Sequence, residues 1–340
     1  MLVGTPDPAD GILDPHRTAP GPTDQRATRI RHKLGRASAF DLPLGTNFER
    51  GSVRGYPIDF REKAQAPEWP PAFLTASGSH RFLGVAQWGL GVFERHLAGD
   101  PGAWLDAVLE AGEYLLERQE RSGAQEGSWL EPSELLHTYR VSAPWPSAMA
   151  QGECASLLVR LHLETGRGDF AEAAQRALLP LALPSSQGGV QARLHGRPFP
   201  EEYPTDPPSF VLNGAIFAIW GLHDVWLGLD DGDAGRQFAE ATDTLAENLR
   251  DWDLGYWSRY DLYPHPGLTN VANFNYHRLH IDQLRAFHRI EPRPEFEATS
   301  ARFAGYEAHR YNRARAYAHK VGFRLIVPRS ELLTALLPWA

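Results

Sequence analysis

The stretch 210–229 constrains the chain most. About 20 mostly apolar residues carry Leu212, Ile216, Ile219 and Leu222 at helical spacing. Asn213-Gly214 has the composition of a hairpin turn. The apolar run is longer than most strands and continues past the glycine, so a helix is predicted. Asn213, His223 and Asp224 interrupt it, which fits a buried helix of a soluble core rather than a membrane span. Just ahead lies Glu201-Glu202-Tyr203-Pro204-Thr205, then Pro207-Pro208-Ser209. Proline fixes φ and ends what precedes it, so two acids and a phenol sit in a shaped turn. Ser209 is the predicted cap of the helix. A titratable loop on a rigid buried support is how a reactive site is usually mounted.

The same period recurs along the chain. Phe82, Val85, Ala86, Gly89, Phe93 and Leu97 share one helical face, and Trp104, Val108, Ala111 and Leu115 share the next. Further helices are predicted over 147–165, 170–183, 238–252, 276–290 and 296–310, which makes eight in all. Val190, Ala192 and Leu194 alternate before His195-Gly196, which predicts a hairpin delivering Glu202 and Tyr203. Tyr256, Ser258, Tyr260 and Leu262 also alternate. The run 323–327 reads as an edge strand or packing segment. Helix pairs without a strict repeat favour a closed α/α toroid over a regular solenoid. The expected fold is mainly α: an α/α toroid of helix pairs with β-hairpin insertions and a short β-containing N-terminal region. The expected organisation is a disordered tail at 1–35, a short β/loop region at 36–79, the barrel at 80–320 and a packing segment at 321–340.

Charge and cysteine content narrow the function. The formal net charge of -8 argues against a general nucleic-acid binder, although an acidic protein can hold a basic cleft. One cysteine, Cys154, allows no intrachain disulfide. No signal peptide or transmembrane segment is read, so a cytoplasmic protein without a membrane partner is expected. The 10 Trp and 11 Tyr are a large stock for packing and for sugar-binding grooves.

Reactive side chains concentrate in 144–152, 201–214, 259–263 and 276–283. His277 and His280 are three apart on a helix, but no third ligand or HExxH arrangement accompanies them, so no metal is expected. Phosphate loops, nucleophile elbows and CxxC pairs do not occur. Glu201, Glu202 and Asp206 are too close in sequence to supply both carboxyls of a glycosidase.

Taken together, five motifs resemble the D-glucuronyl C5-epimerase family. They are Trp145-Pro146-Ser147-Ala148-Met149-Ala150-Gln151-Gly152, Glu202-Tyr203-Pro204-Thr205 with Ser209-Phe210-Val211-Leu212-Asn213-Gly214, Gly221-Leu222-His223-Asp224, Tyr260-Asp261-Leu262, and Tyr276-His277 with His280-Ile281 and Gln283-Leu284. Their order and spacing agree over roughly 80–315. The resemblance implies a homodimeric α/α barrel that inverts C5 of glucuronate within a heparosan- or heparan-type polymer, giving L-iduronate. It places catalytic roles on Glu202, Tyr203, Tyr260 and Tyr276. Substrate contacts are expected at Trp145, Gln151, Asn213, Arg259, His277, Arg278 and His280, with Tyr56 and Arg61 as further cleft candidates. No redox step occurs, so no cofactor is expected.

The chain departs from the animal enzymes after Tyr260-Asp261-Leu262. An Arg-His pair follows there, whereas Tyr263-Pro264 follows here. That Arg is a candidate partner of the substrate carboxylate, so Arg259, Arg278 or His277 is expected to substitute. Inversion needs a proton acceptor and a donor on opposite ring faces, and the reading sets Glu202 against Tyr276 across C5. A uronate polysaccharide lyase shares the first step, and a non-catalytic glycan-binding protein is the alternative from another class.

Overall fold

The computed structural model describes residues 42–71, 81–136 and 138–327. The tail at 1–35, part of the 36–79 region and the end of the chain lie outside the described residues. The described part is mainly helical. Helices α1 (Arg81–Ala98), α2 (Trp104–Arg118), α3 (Ala148–Thr165) and α4 (Gly168–Arg176) are followed by a short α5 (Leu179–Ala182). Then come α6 (Leu212–Leu229), α7 (Gly232–Asn248), α8 (Phe274–Ile290), α9 (Pro294–Ala308) and α10 (Arg310–Ile326).

Local chemistry sets these ends. Ser147 accepts from the Ala150 N–H at the start of α3, and Gly166 ends it at φ +72°, a left-handed conformation glycine adopts without strain. Asp231 caps α7 by accepting from the N–H groups of Asp233 and Ala234. Asn273 caps α8 by accepting from Tyr276 N–H at 2.9 Å, which fixes Tyr276 in the first turn. Ser209 does not cap α6 as expected. That helix starts after Val211, and both the Ser209 N–H and hydroxyl donate to Glu201.

The helices form two layers. α1, α3, α6 and α8 pack side by side, and α2, α4, α7 and α9 back them in turn. Where α3 crosses α6, Gly152 and Gly221 meet backbone to backbone, and a Cβ on either would strike the other helix. α6 has the length and hydropathy of a membrane span, with 78% of it buried in the protein, as a core helix is. The segment before α1 joins the same core. Tyr56 lies 5.7 Å from Phe60 and meets the edge of Trp220 at 6.0 Å. Arg160 of α3 pairs with Asp224 of α6 at 2.6 Å and donates to the Gly55 carbonyl at 2.8 Å.

The β structure is sparse. β1 (Leu130–Glu131) pairs antiparallel with β4 (Trp145–Pro146), and β2 (Leu135–Leu136) with β3 (Arg140–Val141) inside it. This nested ladder lies between α2 and α3, where the sequence predicts no strand. β5 (Gln191–Leu194) and β6 (Arg197–Pro200) form the expected hairpin. The alternation at 256–262 yields only single bridges, Asp253 to Ser258 and Arg259 to Val271. Near the N-terminus a bridge from Leu44 to Ile58 and a 3-10 turn at Arg61–Lys63 stand where short strands were expected. Residues 323–326 close α10 as helix, not strand, with Phe323 buried.

Candidate active site

The turn after β6 is laced to the Tyr260 segment. Leu212 N–H donates to the Tyr260 carbonyl at 3.2 Å, and Leu262 N–H to the Ser209 carbonyl at 2.8 Å. Ala148 N–H, at the start of α3, donates to the Glu201 carbonyl at 3.2 Å. Tyr260 N–H in turn donates to the Asn270 carbonyl at 2.8 Å. The result is a second apolar cluster, apart from the main core. Tyr139, Trp145, Tyr203, Val211 and Tyr260 are buried in it, and Tyr263 and Tyr276 pack at its half-exposed edge.

Two neighbouring carboxyls have different fates. Glu201 accepts from Ser209 N–H at 2.7 Å, Ser209 hydroxyl at 3.0 Å and Phe210 N–H at 2.5 Å. It holds the turn, including Phe210 at φ +47°. Burial pushes its pKa up to about 8 against those donors. Glu202 is equally buried but bonds Tyr203, and its Oε2 has no hydrogen-bond partner among the described residues. Burial pushes Glu202 up to about 7, opposed by the Tyr203 bond. A Cβ on Gly214, in the first turn of α6, would fall on the Glu202 carboxyl.

The phenols continue from there. Tyr203 lies 5.2 Å from Tyr139 and 5.9 Å from Trp145, ring to ring. Tyr260 bonds Tyr203, and its ring meets Tyr276 edge-on at 4.8 Å. Burial holds Tyr139, Tyr203 and Tyr260 well above the ordinary phenol value, and Glu202 adds to each. The arrangement brings together Glu202, Tyr203, Tyr260, Tyr276 and Trp145. Asn213 stands beside Gly214 with its Oδ1 unpartnered among the described residues. Arg259, half-buried, donates to the Asp261 carbonyl at 3.2 Å.

Other expected contacts lie elsewhere. Gln151 donates to the Gly127 and Ala177 carbonyls at 2.9 and 3.1 Å and accepts from Trp129 N–H, so it joins loops together. Tyr56 is in the main core under the Arg160 guanidinium. Arg61 pairs with Asp59 at 2.6 Å. Arg278 is exposed and pairs with Glu307 at 2.7 Å. His277 is fully buried, with Nδ1 at 2.7 Å from Ser258 Oγ and Nε2 at 3.0 Å from the Phe303 carbonyl. Burial lowers its pKa to about 3, so it is neutral and both ring nitrogens are engaged. His280 meets the same Ser258 hydroxyl at 2.9 Å, and burial lowers it too. The His pair is therefore a buried knot behind Tyr260. Among the described residues no three His, Cys, Asp or Glu converge as metal ligands.

Sequence reasoning missed three contributors. Tyr139 donates its hydroxyl to Asp261, which also meets His265 at 3.0 Å and accepts from Asn270. Glu153, buried in α3, accepts from Gln87 at 3.0 Å on both oxygens, and Glu202 helps to keep its pKa at about 8, after the larger effect of burial. Lys320 of α10 donates to Asn270 Oδ1 and the Val271 carbonyl. The Tyr139 signal is its place among aromatics in a stretch without periodicity. Lys320 has no local signal.

Comparison with known proteins places the chain in a family. Residues 125–305 match the family described as D-glucuronyl C5-epimerase C-terminus. The D-glucuronyl C5-epimerase of Caenorhabditis elegans is 32% identical over 218 residues, 59% of this chain and 35% of that protein. An uncharacterized protein of Methanocaldococcus jannaschii is 29% identical over 151 residues, 43% of this chain and 47% of the other. The chain thus spans less than half the length of either relative. Over more than half its length, it belongs to the D-glucuronyl C5-epimerase C-terminal family.

Proposed function

We propose that the chain is a D-glucuronyl C5-epimerase, converting D-glucuronate to L-iduronate within a heparosan- or heparan-type polymer. The observation that carries this reading is the meeting of Glu202, Tyr203, Tyr260 and Tyr276 from three distant stretches, with one Glu202 oxygen buried and unpartnered among the described residues. An idle buried carboxylate oxygen is costly to hold, and a proton acceptor has use for one.

The C5 proton lies α to a carboxylate. Glu202, with a pKa of about 7, takes it at neutral pH, and the C–H electron pair passes into the carboxylate as an enediolate. Hydrogen-bond donors around the carboxyl stabilise that charge, with Arg259 the half-buried cation in this stretch. Tyr276 then gives its hydroxyl proton to C5 from the opposite face. The carboxylic acid and phenolate left behind are reset through the hydrogen-bonded chain of Glu202, Tyr203 and Tyr260, ending against Tyr276. High pKa values at Tyr203 and Tyr260 keep those phenols protonated and able to pass protons on. No redox change takes place, so the reading calls for no cofactor.

Closure of the two helical layers into an α/α toroid and pairing into a homodimer belong to the same proposal. The experiment is NMR of heparosan oligosaccharide incubated in deuterated water. Deuterium at C5, with iduronate appearing and the chain length unchanged, supports the epimerase. An unsaturated product with chain shortening identifies a lyase, and binding without exchange identifies a glycan-binding protein.

A further inference from the structure

Helix α10 lies outside the family-matched stretch 125–305, yet it reaches the tyrosine cluster. Its half-buried Lys320 donates to Asn270 Oδ1 at 2.6 Å and to the Val271 carbonyl at 2.7 Å. The ammonium stands 5.8 Å from the Tyr260 ring centre and 5.4 Å from that of Phe323. Asn270 is the residue whose carbonyl accepts the Tyr260 N–H, and Val271 bridges Arg259. The Asn270 side-chain amide then holds the Asp261 carboxylate, which receives the Tyr139 hydroxyl. One lysine thus fastens the backbone on which Tyr260 is mounted and closes the polar network running to Tyr139.

We propose that Lys320 is a positioning residue of the epimerase site, holding Tyr260 in its reacting orientation through Asn270 and Val271 and setting a positive charge beside its ring. The inference rests on the epimerase reading above. Burial, the Glu202 carboxylate and the neighbouring Tyr203 and Tyr276 oppose phenolate formation at Tyr260, and the Lys320 ammonium beside its ring favours it. Misplacing a reacting group by about an ångström costs on the order of a hundredfold in rate.

The test compares Lys320→Met, Lys320→Arg and Asn270→Ala with the wild type. Lys320→Met is expected to lower kcat for C5 hydrogen exchange by about tenfold to a hundredfold with KM within about twofold, because Tyr260 is misplaced and not the substrate. Lys320→Arg should recover most of that loss, and Asn270→Ala should reproduce the Lys320→Met defect. Lys320→Met with wild-type kcat overturns the proposal. So does a variant whose loss follows its melting temperature and is not rescued by Arg. Ultraviolet titration of tyrosinate gives a readout independent of turnover. The phenol assigned to Tyr260 by its loss in Tyr260→Phe should ionise at higher pH in Lys320→Met, and an unchanged titration of that phenol counts against the proposal. Absence of exchange in the wild type would sink the epimerase reading instead, leaving the titration to judge Lys320.

Discussion

Among the described residues, the Arg160–Asp224 pair and the tyrosine cluster are buried polar regions that treat charge in opposite ways. In the main core Arg160 and Asp224 neutralise each other at 2.6 Å, with further Arg160 donations to the Ser156 and Gly55 carbonyls. Burial alone would raise the Asp224 pKa, but the Arg160 charge and the His223 hydrogen bond outweigh it and hold Asp224 below the ordinary carboxylate value. In the tyrosine cluster no cation among the described residues offsets the burial of the Glu202 carboxyl, and burial pushes its pKa up to about 7 against the Tyr203 hydrogen bond. The motif Gly221-Leu222-His223-Asp224 is thus a structural clamp, whereas Glu202-Tyr203 carries the proposed chemistry. Compensated charge binds helices together, and uncompensated charge is available to react.

The sharpest way to break this contrast is Glu202→Gln. It should lower C5 exchange by about 10²- to 10⁴-fold, read by NMR in deuterated water, while the folded protein stays at least as stable. Exchange at the wild-type rate would remove Glu202 from the reaction. Asp224→Ala should do the reverse. Removing one partner of the buried pair is expected to cost about 3–5 kcal/mol in denaturant unfolding, with kcat of the remaining folded protein near wild type. A third test is Gly214→Ala. The new methyl group would displace the Glu202 carboxyl, so about 1–3 kcal/mol of stability is lost and exchange falls with it.

Per unit of pH, the most gradual effect is expected from the His knot. His277 has a folded pKa of about 3 against about 6.5 unfolded, so its contribution is fully present above pH 6.5 and declines as pH falls toward 3. His280 is lowered in the same direction. Each such group should remove about 1.4 kcal/mol per pH unit below 6.5, seen as a falling denaturation midpoint. His277→Gln should flatten that slope. Activity should fall in the same acid range for a separate reason, protonation of Glu202 below pH of about 7.

Much of the fold was legible because helical period depends on nearest neighbours. α1, α3 and α6 carry dense apolar faces, and the limits of α3 follow from Ser147 and Gly166. α10 was not legible as a helix: Ala316 and Phe323 are its buried residues, too thin a stripe to show a period. The nested ladder was illegible for another reason. Its strands are two residues long, and its register, Leu130 to Pro146, is set across fifteen intervening residues rather than by local propensity. The turn carrying Glu202 was found by its residues, but not the division of labour within it. Ser209 has the composition of a cap and instead serves Glu201, because a buried carboxylate outcompetes a helix end for its donors.

The order of the chain bears on when the protein becomes competent. Tyr139 enters early, Glu202 and Tyr203 midway, Tyr260 and Tyr276 later, and Lys320 on the final described helix. A nascent polypeptide emerging from the ribosome would therefore complete its inner helical row before it could hold Tyr260 in place. Quality control acting on half-made molecules would meet the inner helical row first, and premature termination ahead of α10 would leave Asn270 and Val271 without the Lys320 contacts.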